Sequence, residues 1–313
     1  MSGLTDGAAE ASARRLPLRI AGGATLVMFL WALCFPLINV GLAGSPPMAF
    51  AALRAALSGA VLLLAAQGLR RPAVAGRSVW GGLVLVGFTA TSLGFFGMFY
   101  GGGRVSPGLA TVIANTQPLI AAVLAWGFLN EHLTAVQRWG LAAGFVGIVL
   151  IGAPSLSGSG SQLLGIVYIL IAAVAIAVSN VALKRLAGRV DILRAMGWQL
   201  LIGAAPLALL ALAAEDVGRI DWSWPFVINL IVLSAVGTSA AFVLWFALLQ
   251  RASLSQLNVF TFLTPIFGLV MGVAFFAERL HGVELAGIGL SLLGIYGVSR
   301  PAKIAAAATA AEE

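Results

Sequence analysis

Apolar residues run through this chain in long stretches without a charge, at 20–53, 78–103, 105–130, 139–183, 195–214, 222–250 and 252–277. Each exceeds the ~18 residues that mark a helix able to cross the hydrocarbon core of a bilayer. Turn-forming residues divide the longer runs: Gly44-Ser45-Pro46-Pro47 breaks the first, and Pro154-Ser155-Leu156-Ser157-Gly158-Ser159-Gly160-Ser161 breaks the one from 139 to 183. The pattern predicts ten helices, at 18–41, 48–69, 78–101, 106–129, 134–153, 163–185, 192–214, 224–250, 253–277 and 281–300. At 1.5 Å per residue each spans roughly 30 Å, the thickness of the hydrocarbon layer. The expected fold class is therefore all-α, a polytopic membrane protein of ten transmembrane helices.

Composition narrows the class further. Of 313 residues, 60% are apolar and 9% charged, far from the roughly one-quarter charged of soluble domains. The mean hydropathy is +1.02. A soluble enzyme, a nucleic-acid binder and a disulfide scaffold are excluded. Cys34 is the only cysteine and can form no intrachain disulfide. Arg14-Arg15 before an apolar stretch could mark a leader peptide, but the run that follows is too long and has no clear cleavage site, so a retained first span is expected.

Basic residues set the expected orientation. With a cytoplasmic N-terminus, 14 of the 18 lie on the cytoplasmic side: Arg14, Arg15, Arg19, Arg70, Arg71, Arg77, Arg138, Lys184, Arg185, Arg189, Arg194, Arg251, Arg300 and Lys303. Only Arg104, Arg219 and Arg279 lie outside, with Arg54 inside a span. This positive-inside bias predicts that both termini are cytoplasmic. Trp80, Trp139, Trp222 and Trp224 fall at span ends, where an indole is stable at the headgroup level.

Self-comparison shows a repeat. Segment 106–153 matches 253–300 without a gap at an offset of 147, pairing Ser106/Ser253, Pro118/Pro265, Glu131/Glu278, Gly140/Gly287 and Gly147/Gly294. The chain reads as a tail at 1–17, a first five-helix repeat at 18–153, an external linker at 154–162, a second repeat at 163–300 and a tail at 301–313. Five is odd, so the second copy enters the membrane inverted. Inverted repeats are a recurring design of secondary transporters; a duplicated bundle with no transport role is the plain alternative.

The element PLIAAVLAWGFLNEHLTAVQRWG at 118–140 and its copy PIFGLVMGVAFFAERLHGVELAG at 265–287 resemble the repeat signature of the EamA family in the drug/metabolite transporter superfamily. Trp31 and Arg54 also resemble that family's pattern, and the likeness covers 18–300. The resemblance implies a ten-helix exporter of amino acids or of related small metabolites in the bacterial cytoplasmic membrane, with the aromatic amino-acid exporters of the YddG type as the nearest subgroup. One departure is Ala175, which stands where the second half would match Trp31.

Candidate residues follow from polarity inside spans. Pro118 and Pro265 each remove a backbone hydrogen bond in mid-helix, freeing the carbonyls of Ala114 and Thr261. Such groups are tolerated in lipid only where protein or cavity water satisfies them. Thr111, Asn115 and Pro118 share one face of the fourth span, and Asn258, Thr261 and Pro265 one face of the ninth; both are expected to line a central cavity. The alternative is a pair of packing kinks whose polar neighbours bond between helices. Trp31, Tyr100, Asn180, Thr238 and Trp245 could complete a pocket for an amphipathic solute, while Trp31 could equally fill a core. Ser179, Gln199 and Gln256 read as interhelical bonding groups. Arg54, one charge well inside a span, is expected to pair with backbone carbonyls more readily than with a substrate carboxylate. Glu131 and Glu278 are expected to act as hinges or turn caps. Gly140, Gly144 and Gly147, repeated as Gly287, Ser291 and Gly294, form small-residue faces, expected to pack within each half rather than to join two copies of the chain.

A membrane-embedded enzyme would need a carboxylate pair, a metal cluster or a nucleophile with its base inside the membrane, and His132 and His281 sit at helix ends. A channel would need a charged ring or carbonyl filter, and ATP-driven pumping a Walker loop. The sequence has none of these. A secondary carrier working by alternating access is the reading, with no cofactor, no metal and no nucleic-acid partner, and a monomer is favoured.

Overall fold

The computed structural model describes residues 17–117, 119–120, 123, 135–156, 160–186, 188–249, 251, 260 and 263–298, and among them every regular element is a helix. In chain order these are α1 (Leu18–Gly41), α2 (Pro47–Gly68), α3 (Arg77–Gly102), α4 (Pro107–Ala114), α5 (Ala135–Leu156), α6 (Gly160–Leu186), α7 (Ile192–Ala214), α8 (224–249), α9 (Leu263–Phe276) and α10 (Gly282–Val298). By length and composition α1, α2, α3, α6, α7 and α8 can cross a membrane, and α5, α9 and α10 hold shorter apolar stretches.

Local chemistry explains the starts. Pro47, Pro107 and Pro225 sit in the first turn of α2, α4 and α8, where the missing N–H would have no intrahelical partner. Asp191 opens α7 by accepting hydrogen bonds from the amides of Leu193 and Arg194. Gly76, with φ of +91°, turns the chain into α3 in a conformation that strains other residues. The expected break at 154–162 is narrower than its residues suggest. Helix α5 runs through Pro154 to Leu156 and α6 begins at Gly160, because a proline in a last turn forfeits only one bond.

Packing between helices shows how the repeats are related. α2 packs on α7, α4 on α9 and α5 on α10, so three helices each meet their own counterpart. The α1–α8 contact is mirrored by α3–α6. Each counterpart pair is antiparallel. Glu215, just past α7, bonds the start of α2, and Glu278, just past α9, bonds the start of α4. Along α5–α10 the contacts run from Gly140 with Gly297 to Ile151 with Gly287. The two halves are thus inverted copies around an approximate two-fold axis.

The small-residue faces belong to this interface, which corrects the expectation that they pack within each half. A Cβ on Gly147 would lie 2.5 Å from the Gly287 carbonyl oxygen, one on Gly287 would lie 2.7 Å from that of Gly147, and one on Gly294 would lie 2.6 Å from that of Gly140. Gly144 faces both Leu119 and Gly294. Lipid offers no hydrophobic drive between helices, so close backbone approach and dispersion supply the contact. Leu64, Val149, Phe275 and Leu293 point outward and are exposed, as a lipid-facing surface requires.

Two helices leave α geometry at matching places. Gly87–Leu93 of α3 and Val232–Ala240 of α8 are π-helical, and the repeat offset of 147 carries 87–93 onto 234–240. Such insertions often accompany functional sites.

Candidate functional site

The site begins with these two π-helical stretches, because each carries a Thr-Ser pair aimed at the other half. On α8, Ser239 Oγ donates to the carbonyl of Ser58 on α2 at 3.2 Å, and Thr238 Oγ1 accepts from Arg54 Nε at 3.2 Å and Nη2 at 3.0 Å. On α3, Ser92 Oγ donates to the carbonyl of Gly203 on α7 at 2.9 Å, and Thr91 Oγ1 donates to Gln199 Oε1 at 2.7 Å. The contacts are images of each other: by their partners Arg54 and Ser58 on α2 take the places of Gln199 and Gly203 on α7, an offset of 145, two residues short of the 147 that relates the π-helical stretches. One half fills the position with a neutral amide, the other with a guanidinium.

Arg54 is 5% exposed. Its Nη2 also lies 3.5 Å from Cys34 Sγ on α1, and its Cζ stands 4.6 Å from the Phe95 ring centre and 5.8 Å from that of Phe99. Cation–π contact offsets part of the desolvation cost, which is about 2.5–3.5 kcal/mol for a charge at the centre of a span. Nη1 is buried without a hydrogen-bond partner, and among the described residues Arg54 enters no ion pair. The expected pairing with backbone carbonyls is corrected: its hydrogen bonds go to the Thr238 hydroxyl and the Cys34 thiol, because the π turn brings Thr238 across the interface.

Aromatic residues continue the stripe. Trp31, one turn before Cys34 on α1, meets Phe242 at 6.2 Å and Trp245 at 5.4 Å between ring centres, two residues that follow Thr238 on α8 at helical spacing. The α1–α8 contact therefore unites Trp31, Thr238 and Trp245 of the expected pocket with Arg54. Trp31 is half-buried there and also packs on the cluster around Ala24, Val27, Met28 and Leu248.

An open cleft of about 570 Å³ lies on the face opposite the start of α1, lined by Asn39, Leu42, Ala43, Pro47, Phe99, Gly103, Arg104 and Ser161. Asn39 Nδ2 ties α1 to the end of α3 by donating to the Gly102 carbonyl at 3.1 Å. Phe99 belongs both to this cleft and to the surroundings of Arg54. Tyr100 stands apart from Trp31. It packs with Phe96 and Tyr168, lies under the guanidinium of Arg104, and donates weakly, at 3.4 Å, to Glu215 Oε1.

The fourth helix breaks where its proline predicts. α4 ends at Ala114, and Asn115 and Thr116 form a turn. The Thr111 carbonyl accepts from both the amide and the side-chain nitrogen of Asn115, at 3.1 and 2.8 Å. Thr111 itself is fully buried, bonds the Pro107 carbonyl and packs on Gly268 of α9. It joins helices and presents no surface to a cavity. Pro265 is likewise buried in α9. Pro118, Glu131, Asn258, Thr261 and Gln256 lie outside the described residues, as does the side chain of Asn180.

Glu278, expected as a hinge or turn cap, reaches the start of another helix, α4. Its carboxylate accepts from Ser106 Oγ and from the amides of Gly108 at 3.1 Å and Leu109 at 3.2 Å, closing the N-terminus of α4. Gly108 leaves room for it, since a Cβ there would lie 2.6 Å from Glu278 Oε2. Glu215 does the same for α2, accepting from the amides of Met48 and Ala49 at 2.9–3.0 Å. Sequence reasoning missed Glu215; the double proline that starts α2 was the signal that an acceptor was needed nearby. Among the described residues no group of three or more His, Cys, Asp or Glu side chains could hold a metal.

Inverted copies that share polar contacts across their interface, with a cleft open to one face, are a recurring design of membrane transporters. Comparison with known proteins agrees. The chain is 31% identical over 297 residues to an uncharacterized transporter of Synechocystis sp., covering 88% of this chain and 89% of that one. It is 28% identical to a probable amino-acid metabolite efflux pump of Salmonella typhimurium, covering 87% and 92%, and 26% identical to a protein of the same description in Escherichia coli, with the same coverage. A solved crystal structure 22% identical in sequence superposes with a TM-score of 0.59 over 88% of this chain and 96% of its own, which establishes a shared fold alone. The model of the EamA-like transporter family matches residues 19–153 and 163–300, the two segments that the antiparallel helix pairs join, and the chain belongs to that family of membrane transporters.

Proposed function

We propose that this protein is a ten-span secondary carrier that exports amino acids or related small metabolites across the bacterial cytoplasmic membrane by alternating access, with both termini cytoplasmic. The observation that carries the reading is the antiparallel pairing of α2 with α7, α4 with α9 and α5 with α10. Two inverted copies meeting through counterpart surfaces can exchange their conformations, which yields inward-open and outward-open states of similar energy. The cleft at Asn39, Phe99 and Arg104 then belongs to the external side, in keeping with the distribution of basic residues. The amino-acid class is supported by the descriptions of the Salmonella and Escherichia relatives. Trp31, Asn115, Thr238 and Trp245, with Pro118, Asn180, Asn258, Thr261 and Pro265, and Tyr100 at the external rim, are the residues assigned to the solute path.

Purified protein in liposomes, given a panel of radiolabelled amino acids, tests the reading. Saturable uptake that is accelerated by the same amino acid trapped on the far side is expected. Flux that rises linearly with concentration and shows no such exchange would point to a channel and refute alternating access.

A further inference from the structure

We infer that Arg54 is an anion-binding residue of the solute path, and that it selects solutes carrying a carboxylate; the inference rests on the carrier reading above. The two halves solve one structural problem twice. Thr91 of α3 is held by Gln199, and Thr238 of α8 is held by Arg54. A neutral amide therefore suffices to make this interhelical bond, and the charge on Arg54 is surplus to it. A structural guanidinium in lipid would be expected to carry a carboxylate or carbonyl on every nitrogen. Here, among the described residues, Nη1 is buried without a hydrogen-bond partner and no Asp or Glu pairs with Arg54, while the Phe95 and Phe99 rings pack on its guanidinium.

Access follows from α2. Pro47 lines the external cleft, and Arg54 lies seven residues, about 10 Å, further along the same helix. Phe99 lines that cleft too, its ring centre is 5.8 Å from Arg54 Cζ, and it is buried against Phe50 and Phe95, so a solute reaching Arg54 from the cleft requires this ring to move. The ligand this chemistry takes is a monocarboxylate whose remainder is apolar or amphipathic: a single guanidinium balances one anionic charge, and the neighbouring walls of Phe95, Phe99 and, along α1–α8, Trp31 and Trp245 accept apolar groups.

The test uses R54Q, which copies the residue that the other half already uses, in proteoliposomes with a transported amino acid, its C-terminal amide and its decarboxylated amine. R54Q is expected to melt within about 3 °C of wild type, to lose at least about tenfold in kcat/KM for the acid, and to leave any transport of the amine unchanged. In wild type, the acid is expected to compete at least about tenfold better than the amide. Equal transport of the acid by R54Q and wild type overturns the inference while leaving the carrier reading intact. So does equal competition by acid and amide in wild type, a measurement that needs no variant. An R54Q chain that fails to insert shows that the charge is structural and also overturns it. Absence of saturable transport of any amino acid by wild type overturns the carrier reading itself.

Discussion

Replacing Glu278 separates a helix cap from a proton-coupling carboxylate. In the structure its two oxygens accept from Ser106 Oγ and from the amides of Gly108 and Leu109. Glu278→Ala removes the acceptor of a capping interaction worth about 1–2 kcal/mol, and a negative charge at a partly buried helix N-terminus worth up to about 2 kcal/mol more. The sum is about 3 kcal/mol, an upper figure because the Ser106 hydroxyl at the N-cap can turn to accept from the freed amides. Glu278→Gln keeps one carbonyl acceptor but turns an NH2 towards the amides, and is expected to cost about half as much. At roughly 2 °C per kcal/mol, thermal unfolding in detergent should show a drop of ~6 °C for Ala and ~3 °C for Gln. Reconstituted Glu278→Gln protein should keep the pH dependence of wild-type transport. If both variants melt with wild type while Glu278→Gln flattens the pH profile, the carboxylate titrates in the cycle and the capping account is refuted.

Two further outcomes follow from the interface between the halves. Gly147→Ala puts a Cβ 2.5 Å from the Gly287 carbonyl, forcing α5 and α10 apart by about 1 Å at a cost of roughly 1–3 kcal/mol, whereas Gly289→Ala, which meets nothing within 4 Å, should be neutral or slightly stabilising; equal unfolding temperatures for the two would refute the packing assignment. Thr238→Val takes the hydroxyl acceptor from Arg54 and should cost about 2–4 kcal/mol, while Thr91→Val removes only a neutral bond to Gln199 and should cost about 1 kcal/mol; the order is read from denaturant or heat unfolding of both variants, and a reversed order would contradict the asymmetry between the halves.

Much of this protein is legible in one dimension. A span must hide its backbone and present apolar side chains for about 20 residues, so helix positions such as α1, α3 and α7 follow from the charge-free runs. Proline and glycine at fixed places mark where α2 and α4 start and where α4 breaks at Asn115. The repeat at an offset of 147 is a property of the string itself. Partner choice is different, because apolar helices are alike on every face and lipid does not distinguish them. That Gly147 meets Gly287 across the halves, that Glu215 caps a helix 167 residues earlier in the chain, and that Arg54 and Gln199 occupy equivalent sites emerged only from the folded arrangement. The π turns explain the last point: an extra residue in α3 and α8 rotates each Thr-Ser pair towards the other half, a shift in register that composition and hydropathy do not encode.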